Sequence, residues 1–311
     1  MALAELVAPL DDFVVYAGPW GDAPGARSVS RGHGEPEAAV ETIGGGDAAA
    51  PALGRSVGAY TERPVPGSLR RLFSCAWFHT VPSGPRQPVI VPPDGAMDLI
   101  WINGELRVAG PDRLAAVEWV PPGTTVVGLR FRPAAARAWL GAPLSAIVGA
   151  RVPLEQVRGA EARRLADWLA EAPDPPEVAR RLEHALARTA TAPPEDEAMA
   201  RLFALLRQPD RAGGGVVAEL ERRLGLDART LRRRCSDAFG YGPKTLDRIL
   251  RLQRFLTAAA EPRPLQLPLA ALAAAVGYAD QAHLGRDVRA LVGLTPAVVV
   301  RQLRRRLADP F

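Results

Sequence analysis

From residue 69 to residue 132 the apolar positions come in short runs or alternate with polar ones, and proline and glycine punctuate them. Alternation with a period of two puts successive side chains on opposite faces of an extended chain. Segments 69–79, 89–91, 97–102, 106–109, 117–120 and 124–131 are therefore predicted strands. Asn103-Gly104 falls between two of them, and both residues tolerate the positive φ that a type I′ turn needs, so a hairpin is predicted there. A compact antiparallel sheet or barrel is expected to follow. After Pro133 the spacing changes to three and four: 133–140, 161–170 and 176–189 read as helices, with Leu165, Trp168 and Leu169 on one face and Val178, Leu182 and Leu186 on another.

Composition alters this picture at two places. The chain holds 29 glycines and 30 prolines, and residues 18–54 have many of them but few large apolar residues, so this stretch is expected to be loosely packed or disordered. The segment 208–215, with Pro209 and Gly213-Gly214-Gly215, reads as a linker. Charge is also uneven. Residues 213–308 carry 17 Lys and Arg against 8 Asp and Glu, a net +9, while the remainder is at −4. A basic C-terminal third beside an acidic remainder suggests a polyanionic partner.

That basic third contains an internal repeat. Shifted by 53 positions, Asp227 falls on Asp280, Leu231 on Leu284, Arg233 on Arg286, Gly240 on Gly293 and Pro243 on Pro296. Each aspartate is placed to cap a helix, each leucine four residues on faces a core, each glycine ends the helix, and each proline opens the next. Further helical stretches, 217–224 and 269–276, precede the two caps and end at Gly225 and Gly277. Helix, glycine turn, capped helix is a helix-turn-helix, present twice. The 16 residues of 244–259 join the units, with Leu246, Ile249, Leu250 and Leu256 as an apolar side. As a helix they would span about 24 Å, a separation suited to successive major grooves.

Several stretches resemble the DNA-binding domain of AraC/XylS-type bacterial transcription regulators. They are Leu224-Gly225-Leu226-Asp227-Ala228-Arg229-Thr230-Leu231-Arg232-Arg233, Gly240-Tyr241-Gly242-Pro243, Ala274-Ala275-Val276-Gly277-Tyr278-Ala279-Asp280-Gln281-Ala282-His283-Leu284-Gly285-Arg286 and Gly293-Leu294-Thr295-Pro296. The resemblance covers 217–302, and two such motifs in order at this spacing are far more specific than one. It implies that Arg229, Arg232 and Arg233 in the first unit, and Gln281, Ala282 and Arg286 in the second, read bases. Arginine suits this because its planar fork matches the O6 and N7 edge of guanine. Lys244, Thr245, Thr295 and Arg301, near helix ends, are phosphate candidates. Cys235 and Val288 stand where the family usually has an aromatic core residue.

Pro93-Asp94-Gly95, Asp98 and Ala109-Gly110-Pro111 resemble an uncharacterised N-terminal domain found ahead of this module, and Trp77, His79, Trp101 and Arg113 are the candidate effector contacts. The fold class expected is α+β: a β-rich, barrel or cupin-like sensor domain with flanking helices, then an all-α double helix-turn-helix domain. The boundaries expected are a loose tail over 1–54, the sensor or dimerisation domain over 55–207, the linker over 208–215 and the DNA-binding domain over 216–306.

The function this implies is a sequence-specific transcription regulator that responds to a small-molecule effector. Two alternatives remain: a regulator whose N-terminal domain only dimerises or binds protein, and a small-molecule enzyme. The four histidines, His33, His79, His184 and His283, show no paired metal spacing, and there is no GxSxG, Walker or dinucleotide motif, so no catalytic residue, metal or cofactor is expected. Cys75 and Cys235 form no CxxC. The partners expected are double-stranded promoter DNA, a small-molecule effector, a second copy of the chain and RNA polymerase. With no apolar run of membrane-spanning length and an acidic N-terminus, the expected location is cytoplasmic.

Overall fold

The structure, a computed structural model, describes residues 52–54, 57–85, 88–189, 196–208, 215–261 and 267–308. Of the tail expected over 1–54, residues 1–51 lie outside the described residues, as do 209–214 of the expected linker.

Nine strands are described: β1 (Ala52–Leu53), β2 (Ala59–Arg63), β3 (Phe73–Thr80), β4 (Val89–Val91), β5 (Asp98–Ile102), β6 (Glu105–Ala109), β7 (Ala116–Glu118), β8 (Thr125–Phe131) and β9 (Arg151–Pro153). Six form an antiparallel sheet in the order β2-β3-β8-β5-β6-β9, and β1-β4-β7 form a second, smaller sheet. The hairpin falls where the sequence predicts it: Ile102 pairs with Glu105 across Asn103 and Gly104, whose φ values are 47° and 82°.

Strand alternation gives the large sheet two apolar faces. On one, Ala76, Leu99, Trp101, Val127 and Leu129 are covered by α1 (Ala135–Leu140), α2 (Leu154–Arg158), α3 (Ala160–Ala170) and α4 (Pro175–Thr189). A two-bonded ion pair between Arg63 and Glu183, at 2.9 and 3.1 Å, ties α4 to the edge strand β2. On the other face the Trp77 indole lies across Gly128, where a Cβ would sit 2.1 Å from the ring. Trp77 Nε1 donates to Asp98 Oδ1 at 3.0 Å, and Tyr60 stacks on Trp77 at 5.9 Å. Val57, Val81, Val120 and Val126 complete this cluster.

The expected barrel-like domain is instead two open sheets: among the described residues the end strands of the larger sheet, β2 and β9, pair with β3 and β6 and not with each other. Between the two sheets, the end strands β7 and β9 are each three residues long, with Pro121-Pro122 soon after β7 and Pro153 within β9. Without the proline N–H groups neither can extend its ladder. Side chains bridge the gap, Arg151 donating to Glu118 at 3.1 Å and to Asp112 at 2.8 Å.

The C-terminal part is all helical: α5 (Glu197–Arg207), α6 (Val216–Leu224), α7 (Ala228–Phe239), α8 (Pro243–Ala260), α9 (Leu269–Ala275), α10 (Gln281–Val292) and α11 (Pro296–Ala308). It has two cores. Met199, Leu202 and Leu206 of α5 join Leu220, Leu231, Cys235, Phe239, Leu246, Ile249 and Leu250 in the first. Leu252, Phe255 and Ala259 join Leu272, Leu284, Val288, Leu291 and Val299 in the second. Cys235 and Val288 are fully buried. No helix among the described residues is long and apolar enough to cross a membrane.

The β-rich part docks on both helical units. Gln253 of α8 donates to Pro93 O at 2.8 Å, and Gly95, at φ 76°, packs so closely that a Cβ would meet Leu246 at 3.1 Å. Arg113 donates to Gly240 O, Ala115 N to Leu291 O, and Leu53 N to the Gln302 side chain.

Gly128→Ala is expected to destabilise the chain by about 1–3 kcal/mol, because the added methyl displaces the Trp77 ring from a filled interior. The shift in denaturant midpoint measures it.

Candidate nucleic-acid interface

The repeat seen in the sequence is present in the backbone. α7 and α10 each have 12 residues. Asp227 accepts from the N–H groups of Arg229 and Thr230 at 3.0 Å, and Asp280 accepts from His283 N–H at 2.6 Å. Each helix ends at a left-handed glycine, Gly240 at φ 83° and Gly293 at φ 77°, whose N–H bonds back four residues to Ser236 and Arg289. The next helices, α8 and α11, start at Pro243 and Pro296. The Thr230 hydroxyl and backbone hydrogen bonds hold the Asp227 carboxyl below its ordinary value. This cap is therefore fully formed above the ordinary carboxylate range and is released only as pH falls through the lowered value.

Arg229, Arg232 and Arg233 are exposed together with the half-buried Ser236. Their i, i+3, i+4, i+7 spacing puts them on one face of α7, around a shallow open surface that Ala228 and Asp237 also bound. On α10, Gln281, Ala282 and Arg286 are exposed. Leu284, Asp287 and Val288 point inward. Lys244 and Arg301 are exposed at the start of α8 and within α11, and Thr245 and Thr295 are half-buried. Thr295 Oγ1 accepts from Val298 N–H at 3.3 Å, capping α11.

The register also brings forward a residue that the sequence reading passed over. With the same shift of 53, Ala282 corresponds to Arg229, Arg286 to Arg233, Gly285 to Arg232 and Arg289 to Ser236. Arg289 is exposed, and its guanidinium comes within 3.5 Å of where a Cβ on Gly285 would stand. The side chain thus folds back along the helix over the position that Arg232 fills in the first unit. Reading the repeat beyond its identical positions would have found it.

A polar seam on α8 fixes the second unit. Arg248 donates to Asp287 at 3.0 Å, Arg251 pairs with Asp247 and lies over the Tyr278 ring at 5.4 Å, and Arg254 donates to Val276 O and Leu206 O at 3.2 and 2.8 Å. His283 meets Tyr278 edge-on at 5.1 Å. Burial pushes the Cys235 thiol up to about 12 and raises Cys75 as well, so neither is poised as a nucleophile.

The four candidate effector contacts do not converge. Trp77 and His79 share one face of the large sheet, while Trp101, in register with Val127 and Phe78, is on the other. Arg113 lies on the loop after β6 and reaches Gly240 instead. Strand alternation separates residues that composition alone had grouped.

Residues 220–302 match the family model described as a helix-turn-helix domain, and 61–153 match a domain of unknown function, DUF6597. The helical part is an AraC-type helix-turn-helix domain, behind an N-terminal domain of unknown function. Its helix-turn-helix units are therefore the DNA-binding part of a transcription regulator. No curated protein matches the chain. Among solved structures, an apo variant of ToxT from Vibrio cholerae strain SCE256 has a TM-score of 0.43 at 9% identity, covering 78% of this chain and 100% of that one. ToxT from Vibrio cholerae O395 has a TM-score of 0.41 at 10% identity, covering 78% and 98%.

Asp280→Ala is expected to lower the local stability of α10 by about 0.5–2 kcal/mol through loss of its cap. Amide hydrogen exchange across 281–292 detects it, with the amides of α7 unchanged.

Proposed function

We propose that this AraC-type regulator reads two neighbouring major-groove segments of promoter DNA with α7 and α10 and answers to a small-molecule effector through its β-rich part. The observation that carries the first half is the matched pair of capped helices, each presenting exposed arginine on the face opposite its core. Arg229, Arg232 and Arg233 take base edges, guanine being the best match for the arginine fork. In the second unit Arg286 and Arg289 take this part, Gln281 suits adenine, and Ala282 offers only a methyl contact. Lys244, Thr245, Thr295 and Arg301 take phosphates, which position the protein without reading sequence. The division of labour proposed is sensing over 55–207 and DNA binding over 216–306, with α5 packed in the core of the first helix-turn-helix unit.

Support for effector control is the docking of the β-rich part on both units, since a ligand regulates only through different affinity for two arrangements. Self-association and contact with RNA polymerase belong to the same reading, as partners that a promoter-bound regulator in the cytoplasm would meet.

Gel shifts on sequences selected by the full chain test this. Arg229→Ala or Arg233→Ala should cost about 1–3 kcal/mol of specific binding and relax preference at one base. Lys244→Ala should weaken all sequences alike. Unchanged preference in both arginine variants refutes the assignment. Affinity should fall steeply with rising salt as phosphate counterions are released.

A further inference from the structure

Residues 110–115 connect β6 to β7 and cross from the β-rich part to the helices. The first half of this connection is fixed on its own side. Gly110 N–H donates to Ala150 O at 2.8 Å, Pro111 O accepts from Gly149 N–H at 3.0 Å, and Arg151 holds Asp112 through two bonds at 3.1 and 2.8 Å. A Cβ on Gly110 would sit 1.9 Å from Ile147 O, so the Ala109-Gly110-Pro111 sequence needs its glycine for this close approach.

The second half reaches both helix-turn-helix units within three residues. Arg113 Nη2 donates to Gly240 O at 3.4 Å, at the carboxyl end of α7, and Ala115 N–H donates to Leu291 O at 2.7 Å, in the last turn of α10. Carbonyls at the end of a helix have no partner within it, and a cation is favoured there because the peptide dipoles place negative charge at that end. The two donors match the two ends. The last turn of α7 has no basic residue and carries Asp237, and it receives the guanidinium; the last turn of α10 has Arg289 of its own, and it receives a neutral N–H. Pro111 and Val148 pack against Gly240 beside the first of these bonds.

We propose that segment 110–115 is a strap that sets the distance between the two recognition helices, and that Arg113 is a positioning residue for operator spacing. The proposal rests on the two-groove reading above and names the element that tunes it. α8 joins the two units, but a helix by itself can curve gently. A tie between the carboxyl ends of α7 and α10 closes the frame, because one anchored segment then holds both. Arg113 acts through α7 and not by contact with bases.

Gel shifts with the full chain test this on three DNAs: a selected operator, a copy with one base pair added between the half-sites, and a single half-site. The wild-type chain is expected to prefer the selected spacing. Arg113→Ala, at an exposed position, should bind the selected operator about two- to fivefold more weakly, the range for a cation at an exposed helix end. It should also lose part of its preference over the added base pair, with single half-site binding unchanged. Arg113→Lys, which keeps the cation, should restore the preference in part. Ala115→Pro, which removes the donor to Leu291 O, should reproduce the loss from the other end of the strap. Two results overturn the proposal: spacing preference as sharp as wild type in both Arg113→Ala and Ala115→Pro, or an equal weakening on all three DNAs, which marks a merely structural role. A wild-type chain that binds no selected DNA, or binds single half-sites as tightly as pairs, strikes the two-groove reading itself and the strap with it.

Discussion

One helix carries the geometry of this protein. The 18 residues of α8 belong to two hydrophobic cores at once: Leu246, Ile249 and Leu250 are buried with the first helix-turn-helix unit, and Leu252, Phe255 and Ala259 with the second. Burial of a large apolar side chain stabilises by about 1.5–3 kcal/mol, so each half of the helix is held firmly by its own unit. The polar seam of Arg248, Arg251 and Arg254 then fixes rotation about the helix axis by reaching Asp287, the Tyr278 ring and the carbonyls of Val276 and Leu206. Neither unit can turn about α8 without breaking a core or leaving a buried acid unpaired, which is costly. The two capped helices α7 and α10 are thereby held in one relative placement.

The β-rich part adds a second brace. It touches the end of α7 at Gly240, the middle of α8 at Gln253, the end of α10 at Leu291 and α11 at Gln302. These contacts span both units, so a change in docking bears on the spacing that α8 sets. The packing there is close: a Cβ at Gly240 would come within 2.7 Å of Pro111 and Val148, and one at Gly95 within 3.1 Å of Leu246.

The helical part was legible in the sequence because its signals are local and duplicated: an aspartate cap, a leucine four residues later, a terminal glycine and a proline recur at one shift. The strands of the large sheet's centre were legible from alternation and from Asn103-Gly104. What escaped were pieces whose identity depends on distant partners. β2, with Ala59-Tyr60-Thr61-Glu62-Arg63, is mostly polar and is a strand because β3 pairs with it and Glu183 holds Arg63. β9 is three residues long and exists through β6. α5 buries Met199, Leu202 and Leu206 in a core formed by residues beyond 215. Arg289 escaped because at the shift of 53 it falls on Ser236, where the repeat has no identical residue to draw attention to it. The four candidate effector residues are dispersed for a related reason: alternation puts Trp77 and Trp101 on opposite faces, which the separate stretches of sequence do not reveal.

The most direct test of the account is hydroxyl-radical footprinting of the full chain on a selected operator and on copies with extra base pairs between the two half-sites. The account predicts two protected stretches on one face of the duplex, about one turn of 10 base pairs apart, with binding lost when half a turn is inserted. A single protected stretch, or affinity indifferent to the insertion, would contradict it.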